Sequence, residues 1–373
     1  MNLFLKKRSF FGFNLIICLF FMMSFVQAQE LVEVTTLSST INETSGLIYL
    51  NQRLITHTDS GGEAALYEID TISGNYNRKV IIKNATNVDW EDICFDENYI
   101  YIGDFGNNLG SRTDLKIYRI SISDYFSAEN DEVNADIITY NYADQISFTP
   151  SLYSTNFDAE ALISYNDSLY IFTKNWGDFK TNIYSIPKTP GNYQIHKIDQ
   201  IESQGLITGA TYSGSSKTLL LTGYILDSFV IEIQQFSNNQ FSLGSIEKYS
   251  IQPIGSIQIE GITALDNNQY FLSSEGNSLG DAKLYRLLSK NYLSVDEDII
   301  SKSTILFPNP VSDILTINCD NIASVFFYDM LGVLQKTSSR KVIDITDLSK
   351  GLYFVQIKSF DENKNEIIKL VVE

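Results

Sequence analysis

Short runs of alternating apolar and polar residues recur along most of the chain, and this pattern predicts β-strands. Five repeats open with a polar residue, a small or acidic residue and then an apolar strand, at NETSGLIYL, VDWEDICFD, FDAEALISY, LITGATYSG and IQIEGITAL. Alignment of the repeats gives one column of Ser45, Glu91, Glu160, Thr208 and Glu260. The next column contains Gly46, Asp92, Ala161, Gly209 and Gly261, at steps of 46, 69, 48 and 52 residues. A period of about 50 residues in a strand-rich chain predicts propeller blades.

Three further strands follow the opening strand in most repeats, and QIHKID from Gln194 is the predicted fourth strand of the third repeat. The fifth repeat lacks a fourth strand, whereas ELVEVTT (30–36) precedes the first repeat. We therefore predict that this N-terminal strand completes the last blade and closes the ring. The expected fold is an all-β, five-bladed β-propeller over residues 29–292. A six-bladed ring is the alternative, because the 69-residue step could contain another blade; we interpret that step as insertions at 123–133 and 146–156.

The N-terminus has the pattern of a secretory signal peptide over residues 1–28. Lys6, Lys7 and Arg8 precede a mainly apolar run, and Val26-Gln27-Ala28 supplies small residues at the cleavage positions. A membrane anchor is the weaker alternative, because the run is short and ends at a cleavable site. We expect no transmembrane segment after signal cleavage.

The net charge of the chain limits the kinds of partner that it is expected to bind. Removal of the three basic residues of the signal changes the formal net charge from -18 to -21. Nucleic-acid binding is therefore not expected, because that affinity depends on Lys and Arg neutralising phosphates. An acidic surface instead favours divalent cations. Cys18, Cys94 and Cys319 lie in different predicted segments, so no disulfide framework is expected.

The predicted architecture locates a site at one end of the channel. The start of each first strand and the end of each second strand meet at the same face, where three glutamates of the column would repel one another unless protonated or bridged by a cation. Oxygen ligands suit Ca²⁺, so we predict a calcium site formed by Ser45, Glu91, Glu160, Thr208 and Glu260. The predicted ligand-binding residues on this face are Asp59, Asp104, Asn107, Lys174, Trp176, Tyr224 and Glu275. The alternative is that the column only satisfies backbone groups in a water-filled channel.

An enzymatic role stays open, and no catalytic residue is predicted. Paired carboxylates such as Asp59 with Asp104, or Glu91 with Asp92, could act as acid and base, and a metal could activate water for phosphate or glycoside chemistry. A Ser-His-Asp arrangement would depend on His57 alone, with no nucleophile-elbow motif nearby. Lys174 could hold an anion or pair with Asp178. Trp176 and Tyr224 could stack on a sugar or base, or could be packing residues.

Two resemblances concern the propeller. The Ser, Glu, Glu, Thr, Glu column and the run SGLIYLNQRLITHTDSGGEAALYEID resemble the calcium-binding channel and first blade of the secreted calcium-activated nucleotidases (apyrases). That likeness implies a channel calcium that supports hydrolysis of nucleoside diphosphates. The motifs DSGG, DWEDI, GDFGNN, DAEAL and IFTKNW are similar to those of uncharacterised exported bacterial propellers with DSGG, DWED and GDxGDN, although Asn107 replaces one expected Asp.

The C-terminal part differs in pattern. A polar, acidic linker (293–304) leads into short alternating strands, split by turns, that predict a small Ig-like β-sandwich over residues 305–373. Phe307-Pro308-Asn309-Pro310, the turn from Tyr328 to Gly332, and Tyr353-Phe354 resemble the C-terminal sorting domain of the type IX secretion system of Bacteroidota. This implies handling by that machinery and export through the periplasm, usually with removal of the domain and either release or attachment to surface lipopolysaccharide.

These patterns predict a secreted or cell-surface protein that binds an unidentified small molecule, glycan or protein through a calcium-containing propeller. The alternative is a calcium-dependent hydrolase of phosphate esters or nucleotides, apyrase- or phytase-like. A basic cluster on the site face would distinguish the two. Only Lys174 and Arg112 are available there, which favours binding.

Overall fold

The computed structural model describes residues 29–252, 258–266, 269–277, 280–288, 305–318, 322–330, 332–359 and 365–373. The predicted signal peptide and the predicted linker lie outside the described residues. The described part is nearly all β, with one short α-helix, α1 (Ile122–Ser127), and 3-10 turns at Ser39–Ile41, Glu129–Asp131 and Phe241–Leu243.

Strands β1 to β22 occupy residues 29–288. They are β1 (Gln29–Thr36), β2 (Thr44–Leu50), β3 (Arg53–Thr58), β4 (Ala65–Ile69), β5 (Tyr76–Ile82), β6 (Trp90–Phe95), β7 (Tyr99–Asp104), β8 (Lys116–Ser121), β9 (Glu132–Val133), β10 (Asp136–Tyr142), β11 (Ala159–Tyr165), β12 (Ser168–Thr173), β13 (Thr181–Pro187), β14 (Gly191–Ile195), β15 (Lys197–Ile201), β16 (Leu206–Ser213), β17 (Thr218–Tyr224), β18 (Ser228–Gln234), β19 (Ser245–Gln252), β20 (Ile259–Asp266), β21 (Gln269–Ser274) and β22 (Lys283–Leu288).

The strands form sets of four in which neighbours run antiparallel. The sets are β2-β3-β4-β5, β6-β7-β8-β10, β11-β12-β13-β15, β16-β17-β18-β19 and β20-β21-β22-β1. The N-terminal strand β1 pairs antiparallel with β22, with Glu33 opposite Tyr285. The prediction that this strand supplies the missing fourth strand of the last set is therefore confirmed. Strand β1 also pairs briefly with β19, which joins the last two sets into one sheet.

The predicted strand QIHKID is wrong as a single strand. Strand β14 adds to the preceding set, in parallel with β10, whereas β15 is the fourth strand of its own set and pairs with β13. His196 lies between them and is exposed. The break has a packing reason: Ile195 is buried between the second and third sets, and Ile201 is buried between the third and fourth. One continuous strand in one sheet could not place both side chains in these two cores.

The long step between the second and third repeats contains insertions. In its first part, α1 buries Tyr125 between the first and second sets, and β9 pairs in parallel with β5 at Ile81 and Ile82. A second insertion, over residues 143–158, is a loop that docks on the β7–β8 connection through the backbone bond from Ser151 N–H to Leu109 O (3.0 Å). Among the described residues, this step contains no further four-stranded set.

Apolar side chains fill the spaces between successive sets. Trp90 and Ile100 of the second set pack against Ile55 and Leu66 of the first, and the later sets follow the same arrangement. Ala282 and Leu284 of the last set pack against residues of the first set, such as Leu54. The first strands β2, β6, β11, β16 and β20 contact one another in turn, and β20 contacts β2. This arrangement is that of a β-propeller with the first strands around a central channel.

Residues 305–373 form two small sheets around a separate core. The strands are β23 (Ile305–Phe307), β24 (Ile314–Asn318), β25 (Ile322–Tyr328), β26 (Leu334–Ser338), β27 (Val342–Asp344), β28 (Gly351–Ser359) and β29 (Asn365–Val372). One sheet has the order β23-β24-β27 and the other β26-β25-β28-β29. Their shared core includes Leu315, Val325, Phe327, Val355 and Leu370.

Candidate functional site

Every first strand has a β-bulge at the residue that forms the sequence column. In β6, Trp90 pairs with Asp104 and Asp92 with Gly103, so Glu91 is the extra residue. The same shift leaves an extra residue in the other four first strands, at Ser45-Gly46, Glu160, Thr208 and Glu260. A bulge breaks the regular alternation and re-aims a side chain. The backbone therefore repeats the feature that the sequence alignment detected.

The next column explains how closely the first strands approach. A Cβ added at Gly209 would collide with the Glu260 carbonyl, and one at Gly261 would lie 2.6 Å from the Ser45 carbonyl oxygen. Asp92 is the one member with a long side chain. Its Oδ2 accepts hydrogen bonds from the backbone N–H groups of Leu162 (2.7 Å) and Ala210 (3.3 Å). Asp92 therefore ties three first strands together at the centre of the channel.

A cavity lies at each end of the channel. The cavity at the bulged end has a volume of about 890 Å³ and is lined by Asp59, Glu91, Glu160, Lys174, Glu260 and Glu275. We call this set and its surroundings the mouth. The cavity at the other end has a volume of about 780 Å³ and lies beside Leu162 and Ala210, whose amides Asp92 binds. Asp92 thus lies between the two cavities.

The mouth contains a tight group of three carboxylates. One oxygen from each of Asp59, Asp89 and Glu91 lies within 4.8 Å of the others. Gly106 makes room for this group, since a Cβ there would collide with Glu91 and lie 2.5 Å from Asp89 Oδ2. Asp89 was not among the predicted site residues. The sequence signal for it was its place in the acidic motif DWED (89–92), because Asp89 precedes β6 and the bulge at Glu91 breaks the strand alternation.

Burial changes the protonation of these acids. It raises the pKa of Asp89 to about 7, with the nearby Asp59 carboxylate adding to the effect. Burial and the charge of Asp59 likewise raise the pKa of Glu275 to about 7. The pKa values of Glu91, Glu160 and Glu260 are also raised well above their usual value, first by burial and then by neighbouring carboxylates. Without a cation, the mouth therefore holds protons at neutral pH.

Lys174 is a buried cation among these acids. Its Nζ lies 3.2 Å from Glu160 Oε1 and sits over the rings of Trp176 (5.3 Å) and Tyr224 (5.5 Å). Burial opposes its charge, but the charges of Glu160, Glu260 and other acids more than offset that and raise the pKa of Lys174 well above its usual value. The alternative pairing with Asp178 is wrong: the Asp178 carboxylate accepts hydrogen bonds from the side-chain amides of Asn175 (2.9 Å) and Asn156 (3.2 Å).

The two hydroxyl members of the column make structural hydrogen bonds. Ser45 Oγ donates to the carbonyl of Glu91 (2.5 Å), and Thr208 Oγ1 donates to the carbonyl of Ile259 (2.5 Å). Both bonds join neighbouring first strands. These two residues therefore satisfy backbone groups between neighbouring first strands, which is the alternative role predicted from the sequence, while the glutamates of the column face the mouth.

Asp104 and Asn107 are engaged in the loop that follows β7. Arg112 donates to Asp104 Oδ1 (2.9 Å) and to the carbonyl of Gly106 (2.8 Å). Asn107 donates from its side chain to the Phe157 carbonyl (3.1 Å), and its backbone N–H donates to Asp158 Oδ1 (2.5 Å). Both predicted residues are fully buried and hold the loop in place. Arg112 is occupied by Asp104, so it is not a free cation for a ligand.

Trp176 and Tyr224 form an aromatic wall of the mouth, and both also pack against neighbouring side chains. Trp176 is only 5% exposed, donates from Nε1 to Asp158 Oδ2 (2.9 Å) and packs against Tyr153 at a centroid distance of 4.7 Å. Burial raises the pKa of Tyr224 to about 12. Both residues belong to an apolar cluster that includes Phe354 of the C-terminal sheets.

His57 does not line the mouth. It is fully buried in β3, where its ring packs edge-on against Trp90 at 5.7 Å. Burial lowers the pKa of His57 to about 4, so it is neutral at physiological pH. This geometry gives no support to a Ser-His-Asp arrangement.

Comparison with protein families identifies the C-terminal part. Residues 305–373 match the family described as "Secretion system C-terminal sorting domain". The prediction of a type IX sorting domain over these residues is confirmed, and it indicates export to the outer surface or secretion. In the described residues, the longest α-helix has six residues, and none has the length and apolar character needed to cross a membrane. We call residues 305–373 the sorting domain below.

Comparisons with whole proteins add little. No curated protein matches the chain. Among solved structures, PorZ, a surface component of the type IX secretion system of Porphyromonas gingivalis, is 10% identical with a TM-score of 0.32, covering 88% of this chain and 45% of its own. The Cps50 (Swd1) β-propeller domain of Myceliophteria thermophila is 9% identical with a TM-score of 0.31, covering 87% and 96%. The chain thus spans less than half the length of PorZ.

Proposed function

We propose that this protein is an exported five-bladed β-propeller that binds Ca²⁺ at its channel mouth and uses the ion to hold a ligand, with an Ig-like sorting domain for its export. The observation that carries the proposal is the group formed by Asp59, Asp89 and Glu91, with oxygens within 4.8 Å of one another. Ca²⁺ takes oxygen ligands at about 2.3–2.6 Å, so ligands on opposite sides of one ion lie about 5 Å apart.

The chemistry of the donors supports a hard cation. The three residues offer carboxylate oxygens only, which suit Ca²⁺ or Mg²⁺ better than softer metals. Burial and the charges of Asp59 and Asp158 raise the pKa of Asp89 to about 7 and outweigh the opposing charge of Arg112, so the site lacks sufficient positive charge. A divalent ion would supply that charge and displace the proton.

The proposed calcium ligands differ in part from those predicted from the sequence. Ser45 and Thr208 offer only neutral hydroxyl oxygens and are not among the residues that line the mouth cavity, so their contribution to a cation would be secondary. Glu91 stays in the proposed ligand set, and Asp59 moves from the ligand-binding group to the metal group. Glu160 is held by Lys174 and would face the bound ligand and not the ion.

Binding is favoured over the hydrolase alternative by the shortage of cations. A phosphate ester carries negative charge that a hydrolase must hold with Lys, Arg or metal ions. Among the described residues that line the mouth, the basic ones are Lys174, which is bound to Glu160, and Lys358 of the sorting domain. The aromatic wall of Trp176 and Tyr224 suits a sugar ring or another flat apolar face.

Calorimetric titration tests the proposal. Chelator-treated protein comprising residues 29–373 should bind Ca²⁺, and Asp89→Asn should weaken that binding at least about tenfold, because it removes one charged ligand. Asp167→Asn is the matched control: this aspartate is exposed at the opposite end of the channel. The control should bind Ca²⁺ like the wild type.

The same titrations identify failure. If wild-type protein produces no Ca²⁺-binding heat, or if Asp89→Asn and Asp167→Asn bind equally well, the mouth is not the calcium site. Assays of the purified protein on nucleotides and sugar phosphates, with and without Ca²⁺, test the hydrolase alternative. Calcium-dependent turnover that Asp89→Asn abolishes would replace the binding function with hydrolysis.

A further inference from the structure

The sorting domain lines the outer part of the mouth, and we propose that it is a lid that slows the access of external ligands to the aromatic wall and the cation site until the two domains separate. The inference rests on the proposed function, because it concerns access to that same site. The interface belongs to one chain, so the partner of this propeller face is the sorting domain itself.

Apolar contacts fix the lid beside the mouth. Phe354 of β28 is 4% exposed, and its ring packs edge-on against Phe179 with a centroid distance of 5.4 Å. Met330, Leu352 and Ile367 of the sorting domain join the same cluster, which on the propeller side contains Trp176, Tyr224 and Ile225. Burial of aromatic surface on this scale favours a defined docked position.

Charged side chains of the lid complement the acidic propeller. Lys369 Nζ lies over the Phe179 ring at 4.8 Å. The positive charge of Lys358 acts on Asp227 of the propeller, partly offsetting the rise in the Asp227 pKa that burial causes. Lys358, Gln356 and Tyr328 line the outer side of the same cavity whose inner side contains Glu91 and Glu260. The mouth is therefore bordered by residues of both domains.

The two faces of strand β28 make different contacts, one with the core of the sorting domain and the other with the propeller. Tyr353, Val355 and Ile357 point into the core of the sorting domain, whereas Leu352 and Phe354 pack against the propeller. Alternation along a strand places neighbouring side chains on opposite faces. Phe354 lies on the outer face of the strand and is not part of the core of the sorting domain. The propeller buries it instead.

The two domains are separable units. The strands of residues 29–288 and those of residues 305–372 share no sheet among the described residues, and each part has its own buried cores. Separation would expose the cluster around Phe354 without breaking a strand pairing. Cleavage between the domains can therefore open the mouth and leave both folds intact.

Tryptophan fluorescence gives a test that does not depend on calcium. The mature chain contains two tryptophans, and Trp90 is fully buried in a propeller core. Full-length protein with a protease site placed in the linker is compared before and after cleavage and removal of the released sorting domain. Acrylamide quenching of Trp176 should rise and its emission should shift to the red after separation. Equal quenching in the two samples would overturn the lid.

Terbium uptake then tests access to the ion site. Tb³⁺ replaces Ca²⁺ as the probe, and its luminescence is followed by stopped flow in the capped and separated proteins. The separated protein should take up Tb³⁺ faster. Uptake at the same rate in both samples would overturn the lid as a control of access. Absence of Tb³⁺ and Ca²⁺ binding from both samples would overturn the proposed function, and the inference about access to that site would fall with it.

An uncleaved variant provides an independent check. Leu352→Ser together with Phe354→Ser should loosen the lid, raise Trp176 quenching and speed Tb³⁺ uptake in the full-length chain. The control is Ile314→Ser together with Val342→Ser, two exposed apolar residues on the other sheet of the sorting domain. The control should behave as wild type in both measurements. If both variants give the wild-type quenching, the lid does not depend on these contacts, and the inference is wrong.

Discussion

The Asp92 carboxylate accepts a hydrogen bond from the backbone N–H of Leu162 at 2.7 Å, which links two first strands that are 70 residues apart in sequence. The same carboxylate accepts from the amides of Ala210 (3.3 Å) and of its neighbour Ile93 (2.8 Å). One side chain thus satisfies three buried backbone donors at the channel centre. Buried amides without partners are costly, so Asp92 has a structural task that differs from that of the mouth acids.

Replacement of Asp92 by Ala should therefore destabilise the propeller. Alanine fits the space, since Ala161 occupies the same column, but it leaves three buried N–H groups without a partner. The expected loss is about 3 kcal/mol in the free energy of unfolding, at about 1 kcal/mol or more for each amide. Urea denaturation measures it. The exposed Asp167→Ala provides the control, and equal stability of the two variants would show that the amides have other partners.

The Arg112 and Asp104 pair should matter more than a surface ion pair. Asp104 is fully buried, so Arg112→Leu would leave its carboxylate without its main partner, at a cost of about 3–5 kcal/mol. Lys79 pairs with the half-exposed Glu63, and Lys79→Met should cost about 1 kcal/mol or less because both side chains reach solvent. Thermal unfolding of the two variants measures the difference. Equal shifts in Tm would contradict the assignment of Asp104 to the loop's structure.

The repeat period and the column were readable from the sequence because each first strand has the same local task. Every first strand has a bulged residue, and four of the five residues that follow the bulge are Gly or Ala, as Gly261 is where two first strands approach closely. Both features therefore appear as columns in the alignment. The role of β1 in closing the ring was predictable because the fifth repeat lacks a fourth strand and one extra strand precedes the first repeat. The break at His196 was not readable, because it depends on which of two cores buries Ile195 and Ile201.

Within the site, the alignment of the repeats identified the acidic residues but not the side chains that bind them. Asp104 and Glu275 both occupy the loop after a second strand, so the sequence does not distinguish them. In the structure, Arg112 binds Asp104, whereas Glu275 faces the cavity. The arginine lies eight residues away in a loop whose path the sequence does not specify. Asp89 was missed because it precedes the bulge at Glu91, where strand alternation no longer indicates which way a side chain points. The cover provided by Phe354 depends on docking between domains, which strand patterns do not report.

Stability should fall with rising pH when no cation is bound. Asp89 and Glu275 have folded-state pKa values of about 7, above their unfolded values of 3.8 and 4.5. Between about pH 4 and pH 7 the folded state therefore holds more protons than the unfolded state, and the free energy of unfolding decreases as pH rises through this window. Bound Ca²⁺ should reduce the effect, because the Asp89 carboxylate is then ionised in the folded state as well.

His57 contributes the opposite slope in the same window, since its pKa is lowered to about 4 in the folded state. The measurement is therefore a comparison between wild type and the double variant Asp89→Asn with Glu275→Gln. Urea denaturation from pH 5 to pH 8, with chelator or with Ca²⁺, gives the slopes. With chelator, the double variant should have a shallower slope than the wild type, and the other buried acids of the mouth, such as Glu91, contribute the rest. An unchanged slope would show that these two acids do not titrate in this range.

Replacement of Lys174 should strengthen calcium binding, because the lysine is a fixed positive charge beside the proposed cation. Lys174→Met keeps a long apolar stem against Trp176 and Tyr224 and removes the charge that pairs with Glu160. The expected gain in Ca²⁺ affinity is roughly tenfold, the size of a charge interaction of about 1.4 kcal/mol. Lys180→Met is the control, because Lys180 pairs with the exposed Glu202. Calorimetric titration at low ionic strength compares the two variants. Weaker calcium binding by Lys174→Met than by Lys180→Met would mean that Lys174 organises the ion's ligands and does not compete with the ion.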